Sequence, residues 1–116
     1  MNDRRAVASA RIRYEGPPEW REPVFEALAR VVDPEIALSI VDVGLVYRVH
    51  LQDRVASVLL TTTSAACPLA GSIADDVETE LMQLLPAGWA VDLELTWEPE
   101  WTPERMSADA RKFMGW

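Results

Sequence analysis

The chain has 116 residues, 49% hydrophobic and 26% charged, with a formal net charge of −8 at pH 7. That length suits one domain with a real apolar core and is too short for two. A single cysteine excludes an intramolecular disulfide, no apolar run reaches the ~18 residues of a membrane span, and an acidic body without a basic stripe repels phosphate backbones.

Neither a membrane nor a nucleic acid is therefore an expected partner. The charge is uneven. Residues 1–18 hold four arginines against Asp3 and Glu15, a net +2, which leaves −10 of the total −8 on residues 19–116. Arg4 and Arg5 are a twin-arginine pair, but two further arginines stand where an export signal needs an apolar stretch, so the cytoplasm is the expected compartment.

Residues 1–18 keep no sustained period and end in Gly16-Pro17-Pro18, which predicts a basic N-terminal arm before a single domain over residues 19–116. Val24, Leu28 and Val31 fall at helical spacing from about Trp20 to Val32, with Pro23 tolerated in the first turn. Pro34 keeps Asp33 out of the helical region and ends that helix. A loop, Asp33 to Asp42, leads into Gly44.

Alternation follows. Leu45, Tyr47, Val49 and Leu51 face one way, Val46, Arg48, His50 and Gln52 the other, as in a half-buried strand. A short turn at Gln52-Asp53-Arg54 and a second strand from Val55 to Thr63 complete a hairpin. Leu69, Ile73, Val77, Leu81 and Leu84 line one stripe of an amphipathic helix from Pro68 to Leu85, stopped by Pro86 and Gly88. In a third strand Val91, Leu93, Leu95 and Trp97 point inward and Asp92, Glu94, Thr96 and Glu98 outward. Pro99 to Pro103 is extended, and Ser107 is placed to cap a terminal helix, Ala108 to Met114.

The predicted fold is α/β, an α+β two-layer sandwich. Its order is α-β-β-α-β, with a three-stranded mixed sheet, helices on one face and a short C-terminal helix.

Chemistry concentrates at Cys67. Pro68 suits the first helical position, which makes Cys67 the N-cap, where free amide hydrogens and the helix dipole favour a thiolate. A thiolate is a nucleophile and a soft metal ligand; a small buried apolar cysteine is the plainer alternative. Asp33, Glu35 and Asp42 are acidic candidates beside it, to complete a metal site or to hold a basic group of a partner. The alternative gives Asp33 to the helix end and Asp42 to a turn. His50 falls on the solvated strand face. Trp97 fits the inward face, whereas Trp101 and Trp116 sit in irregular or terminal segments and mark a contact surface.

The loop Asp33-Pro34-Glu35, the run from Ile40 to Tyr47, the threonine-rich strand leading to Cys67-Pro68-Leu69, and the segment Trp97 to Ser107 together make one pattern. It resembles the SufT/PaaD-like family of metal–sulfur cluster biosynthesis proteins, relatives of the eukaryotic cytosolic iron–sulfur targeting factor, over about residues 20–114. One departure is Ser64-Ala65-Ala66, where the family usually carries a glycine before its cysteine.

The resemblance implies a small α/β domain that helps to mature iron–sulfur proteins, with Cys67, Asp33 and Glu35 as the functional residues; Asp42, Trp101 and Trp116 are partner-binding candidates from the residues themselves. It implies a labile iron–sulfur cluster or iron as cargo, with no stably bound cofactor. The partners would be the assembly machinery or client proteins, and a homodimer is the arrangement that would bring two copies of Cys67 together. A PaaD-like maturation factor for a multicomponent oxygenase, a thiol enzyme and a pure interaction adaptor are the other readings of the same residues. PaaD-like proteins often carry a cysteine-rich tail that this sequence does not show, and a thiol enzyme would want a base beside Cys67.

Overall fold

The computed structural model describes residues 12–33, 37–62 and 70–115. In chain order its elements are β1 (Arg13–Glu15), a 3-10 turn (Pro18–Trp20), α1 (Arg21–Ala29), β2 (Val32–Asp33), β3 (Leu38–Ser39) and α2 (Ile40–Val43). There follow β4 (Val46–Gln52), β5 (Val55–Leu60), α3 (Ala70–Leu84), β6 (Ala90–Leu95), a second 3-10 turn (Pro103–Arg105) and α4 (Ala108–Met114).

The main sheet has four strands in the order β1-β4-β5-β6, not three. The additional strand is β1, which pairs parallel with β4 through Arg13 to Arg48, Tyr14 to Val49 and Glu15 to His50. Three residues are too few to display a period of two, so this strand was illegible by alternation. The central pair β4 and β5 is the expected antiparallel hairpin, turning through Asp53 and Arg54, both at positive φ. Such a two-residue turn matches the twist of the strands, though here without the usual Asn-Gly. β6 lies parallel to β5, as a helical crossover requires.

Helices α1 and α3 cover one face. Val24, Phe25, Ala27 and Leu28 of α1 and Ile73, Val77 and Leu81 of α3 meet Val49, Leu51, Ala56, Val58 and Leu60 of the sheet in one core. Full burial of each large aliphatic side chain stabilises the fold by roughly 1.5–3 kcal/mol. The facing Arg30 Nε and Glu80 Oε1 are 2.8 Å apart and add a link between α1 and α3. Being largely solvated, the pair contributes at most about 1 kcal/mol. On the opposite face Arg48, Gln52, Asp92 and Glu94 are exposed.

Three sequence expectations need correction here. The first helix stops at Ala29 rather than near Val32, because the Arg30 N–H already bonds Ala27 and Leu28 and the chain then extends into β2. Residues of the expected loop before Gly44 instead include β2 and β3, paired antiparallel, and the short α2 capped by the Ser39 hydroxyl. A β-bulge also shifts the start of β4: Val46 lies opposite Leu60 and Arg48 opposite Leu59. The extra residue turns Val46 into the core, fully buried, instead of onto the solvated face. Tyr47 is displaced from the main core but still buried, roofed by the Arg105 guanidinium 4.1 Å from its ring centre.

α4 matches its predicted bounds, with the Ser107 hydroxyl accepting from the Ala110 N–H at 3.1 Å. Leu95 and Trp97, expected inside, are 37% and 40% exposed. They lie at and just past the end of β6, which among the described residues has a strand neighbour on the β5 side alone.

Gly44 is fixed by two constraints at once. Its φ is +84°, and a Cβ there would come within 2.4 Å of the Arg105 carbonyl oxygen. Gly88 has a similar φ of +93° and open space around it. Gly88→Ala should therefore cost only the backbone term of about 1–2 kcal/mol. Gly44→Ala should lose clearly more than that, because backbone must also move. Urea midpoints of the two variants check the difference; equal losses would mean that the close approach at Arg105 is not a constraint.

Candidate functional site

One end of the sheet gathers three stretches of the chain: the one from β2 to the start of β4, the exit of β5 and the exit of β6. Backbone hydrogen bonds lash them together in series. The Val31 carbonyl accepts from the Ile40 N–H at 2.9 Å, Ile40 from Leu45 at 2.9 Å, and Leu45 from Thr61 at 2.8 Å. Next to them, Leu60 accepts from the Thr96 N–H at 2.9 Å. The series ties the β2–β3 hairpin, α2, the start of β4 and the exits of β5 and β6 into one rim.

The C-terminal segment returns across this rim. The Trp97 indole N–H donates to the Thr62 hydroxyl at 3.1 Å, and the Tyr47 hydroxyl donates to the Pro99 carbonyl at 2.7 Å. The Trp101 indole N–H donates to the Val43 carbonyl at 2.8 Å, Arg105 Nε to the Gly44 carbonyl at 3.1 Å, and the Ser107 N–H to the Asp42 carbonyl at 2.8 Å. Except for the Tyr47 bond to Pro99, each donor reaches a carbonyl or hydroxyl at or just past a strand or helix end, where the regular ladder leaves backbone groups to be satisfied. Exposed Glu104 is held below the ordinary carboxylate pKa, first by the hydrogen bond from the Thr102 hydroxyl.

Thr61 and Thr62 are both buried, 1% and 3% exposed, at the point where β5 ends. Eight residues later in the chain the amphipathic helix α3 begins its described course at Ala70. Cys67 belongs to the connection between them, and it lies outside the described residues, as do Glu35 and Trp116. The expected N-cap at Cys67 and the stripe position Leu69 fall there too.

Of the candidates within the described residues, Asp33 is a carboxylate only 2% exposed, on β2, with its carbonyl accepting from the Ala37 N–H at 2.7 Å. Its position next to Pro34 explains the extended backbone. Asp42 is half-buried on α2 at the same rim. Trp101 is half-buried, packs against the core and spends its indole N–H on Val43. His50 lies on β4 opposite Glu15 and Ser57, roughly 13 Å along the strand from Val46 at about 3.3 Å per residue. Among the described residues no three histidine, cysteine, aspartate or glutamate side chains are grouped to hold a metal ion.

Sequence reasoning missed Thr62 and the Trp97 contact with it. The residues are 35 positions apart, and neither motif nor period connects them. The one available signal was the threonine run ahead of Cys67, whose hydroxyls need partners once buried.

A four-stranded mixed sheet with two helices packed on one face and a clamped rim defines a class of small α/β domain. The sequence over residues 21–95 matches the model of the family described as "Iron-sulfur cluster assembly protein". The chain is 38% identical over 96 residues to the Fe-S protein maturation auxiliary factor YitW of Bacillus subtilis, spanning 82% of this chain and 93% of that protein. It is 38% identical over 86 residues to the Fe-S protein maturation auxiliary factor SufT of Staphylococcus aureus, spanning 73% and 97%. A crystal structure of a domain of unknown function from Bacillus anthracis superposes with a TM-score of 0.76 at 36% identity, covering 81% of this chain and 90% of that one.

The chain thus belongs to the iron–sulfur cluster assembly protein family. Within that family it is SufT-like.

The Trp97–Thr62 bond should be measurable as an interaction and not only as two separate losses. In a cycle of Trp97→Phe, Thr62→Val and the double variant, we expect a coupling of about 0.5–1.5 kcal/mol in urea unfolding. Additive losses would show that the indole does not hold the end of β5.

Proposed function

We propose that this protein is a non-catalytic accessory factor that holds iron–sulfur species on Cys67 in transit and relays them to client proteins inside the cell. The observation that carries this reading is the rim. In a chain of the iron–sulfur assembly family, the only cysteine lies in the connection that leaves a strand end buried and clamped at Thr61 and Thr62. Anchoring at Thr61 and Thr62 gives that connection a fixed origin, which suits repeated hand-over between two proteins.

The chemistry of the thiol supports the same reading. Pro68 is suited to the first position of a helix, and a thiol just before it gains from the positive end of the dipole, which favours thiolate. Asp33 and Glu35 are the oxygen donors nearest in kind to complete a site. Oxygen is a poorer match than thiolate for a soft, sulfide-rich cluster, so cargo held this way leaves readily. That is useful in a carrier.

A thiol enzyme is the weaker reading. Its nucleophile would want a base within hydrogen-bond reach, and the single histidine, His50, sits well along β4 from the rim. The relatives YitW and SufT are named as auxiliary factors.

One cysteine per chain cannot supply the four thiolates that most clusters take. Sharing between two chains on a two-fold axis would bring two Cys67 thiols together. Anaerobic reconstitution with iron and sulfide, followed by iron counting and sedimentation, tests this. Weak loading accompanied by dimerisation is expected in the native chain, and loss of loading in Cys67→Ser. Full loading of Cys67→Ser would remove the thiol from the account, and a cluster-bearing monomer would sink the shared site.

A further inference from the structure

We infer that the edge of β6 left unpaired among the described residues is a docking site for an extended, basic segment of a partner polypeptide, which adds to the sheet as a further strand. It deepens the client-facing role proposed above only in saying what a client would present; the surface itself is argued without any cluster.

Among the described residues β6 pairs in the sheet with β5 alone. Its known bonds fix which backbone groups look outward. The N–H groups of Ala90 and Thr96 donate to Arg54 and Leu60 on the β5 side. In a parallel pair the intervening odd positions, Val91, Leu93 and Leu95, then turn their N–H and carbonyl groups to the opposite side. Six residues of β6 provide the length of an average strand. The other edge of the sheet, β1, offers only three, with Arg13 and Glu15 already in an ion pair at 3.3 Å.

Side chains then select the occupant. Asp92 and Glu94 are exposed carboxylates on the open face of β6. On the other face Leu95 and Trp97 expose apolar surface, and the Trp97 ring is held in place through its bond to Thr62. An added strand with arginine or lysine at alternate positions and apolar residues between them would meet carboxylates on one face and Leu95 and Trp97 on the other. Charge argues against a second copy of β6 as the occupant, because antiparallel pairing would set Asp92 and Glu94 against their own like charges. A fixed indole that loses little freedom on binding is a good anchor for such a contact.

The test uses the full chain without iron or sulfide, and a fluorescein-labelled peptide of about eight residues alternating arginine and valine, long enough to span a strand. Anisotropy should show saturable binding, weakened at least about tenfold by the double reversal Asp92→Lys with Glu94→Lys. Both positions are exposed, so thermal melting should confirm an intact fold. Two further peptides carry backbone N-methyl groups on either the odd or the even residues, with charge unchanged. One should lose binding and the other keep it, since only one set of N–H groups faces β6.

Equal binding of both methylated peptides would overturn strand addition in favour of plain charge attraction, and so would equal binding of an alternating glutamate–valine peptide. Absence of binding at low salt would overturn the site altogether. Self-association of the metal-free chain that the double reversal abolishes would give the edge to a second copy instead. Failure here leaves the Cys67 reading standing, and failure of cluster loading leaves the edge standing, because neither measurement uses the other's ligand.

Discussion

The Thr61 N–H bond to the Leu45 carbonyl continues the β4–β5 ladder one step past the regular strands, and most of the rim is arranged around it. Leu45 can make that bond only because Gly44 turns the chain at positive φ and α2 ends there. Gly44 in turn must stay small because the Arg105 backbone lies against it. The Arg105 side chain then returns to bond the Gly44 carbonyl and to cover Tyr47. These contacts depend on one another, so a disturbance at any of them is passed to the end of β5. In a marginally stable domain, coupling of this kind commonly amounts to a good fraction of the net stability.

This arrangement assigns the C-terminal segment a structural role that composition alone would not suggest. Residues 97–107 contain two prolines, Pro99 and Pro103, but their order comes chiefly from hydrogen bonds to the body of the domain, Trp101 and Arg105 donating to carbonyls at the end of α2 and Pro99 accepting from Tyr47. Trp101 shows the distinction well. Its indole is fastened inside the rim, whereas that of Trp97 is fastened by its N–H yet leaves 40% of the residue in solvent. Two tryptophans in one short run therefore serve different ends, one closing the fold and one presenting a rigid face.

The sequence was most legible where a period was long and single-sided. The stripe Ile73, Val77, Leu81 on α3 and the alternation Val49, Leu51 on β4 were readable because each element buries one face against the same core. Legibility failed where a local rule was overridden by a distant contact. The bulge at Tyr47 inverted Val46, because the strand start has to accommodate Arg105 and Pro99 as well as β5. β1 was hidden because its three residues are a strand only by pairing with β4. Asp33 could be singled out from its acidic loop, but its burial and the Thr62–Trp97 bond needed the fold itself.

Charge completes the physical picture. The domain carries exposed carboxylates on α3 and on the open face of β6, while the rim holds the buried Asp33 and the half-buried Asp42 among backbone groups, hydroxyls and indoles. Carboxylates set out along an edge strand steer a basic partner toward the sheet at long range. Because β6 ends at Leu95 and the chain runs on through Thr96 and Trp97 beside the clamped exit of β5, a partner guided along that strand arrives at the same rim from which the Cys67 connection departs.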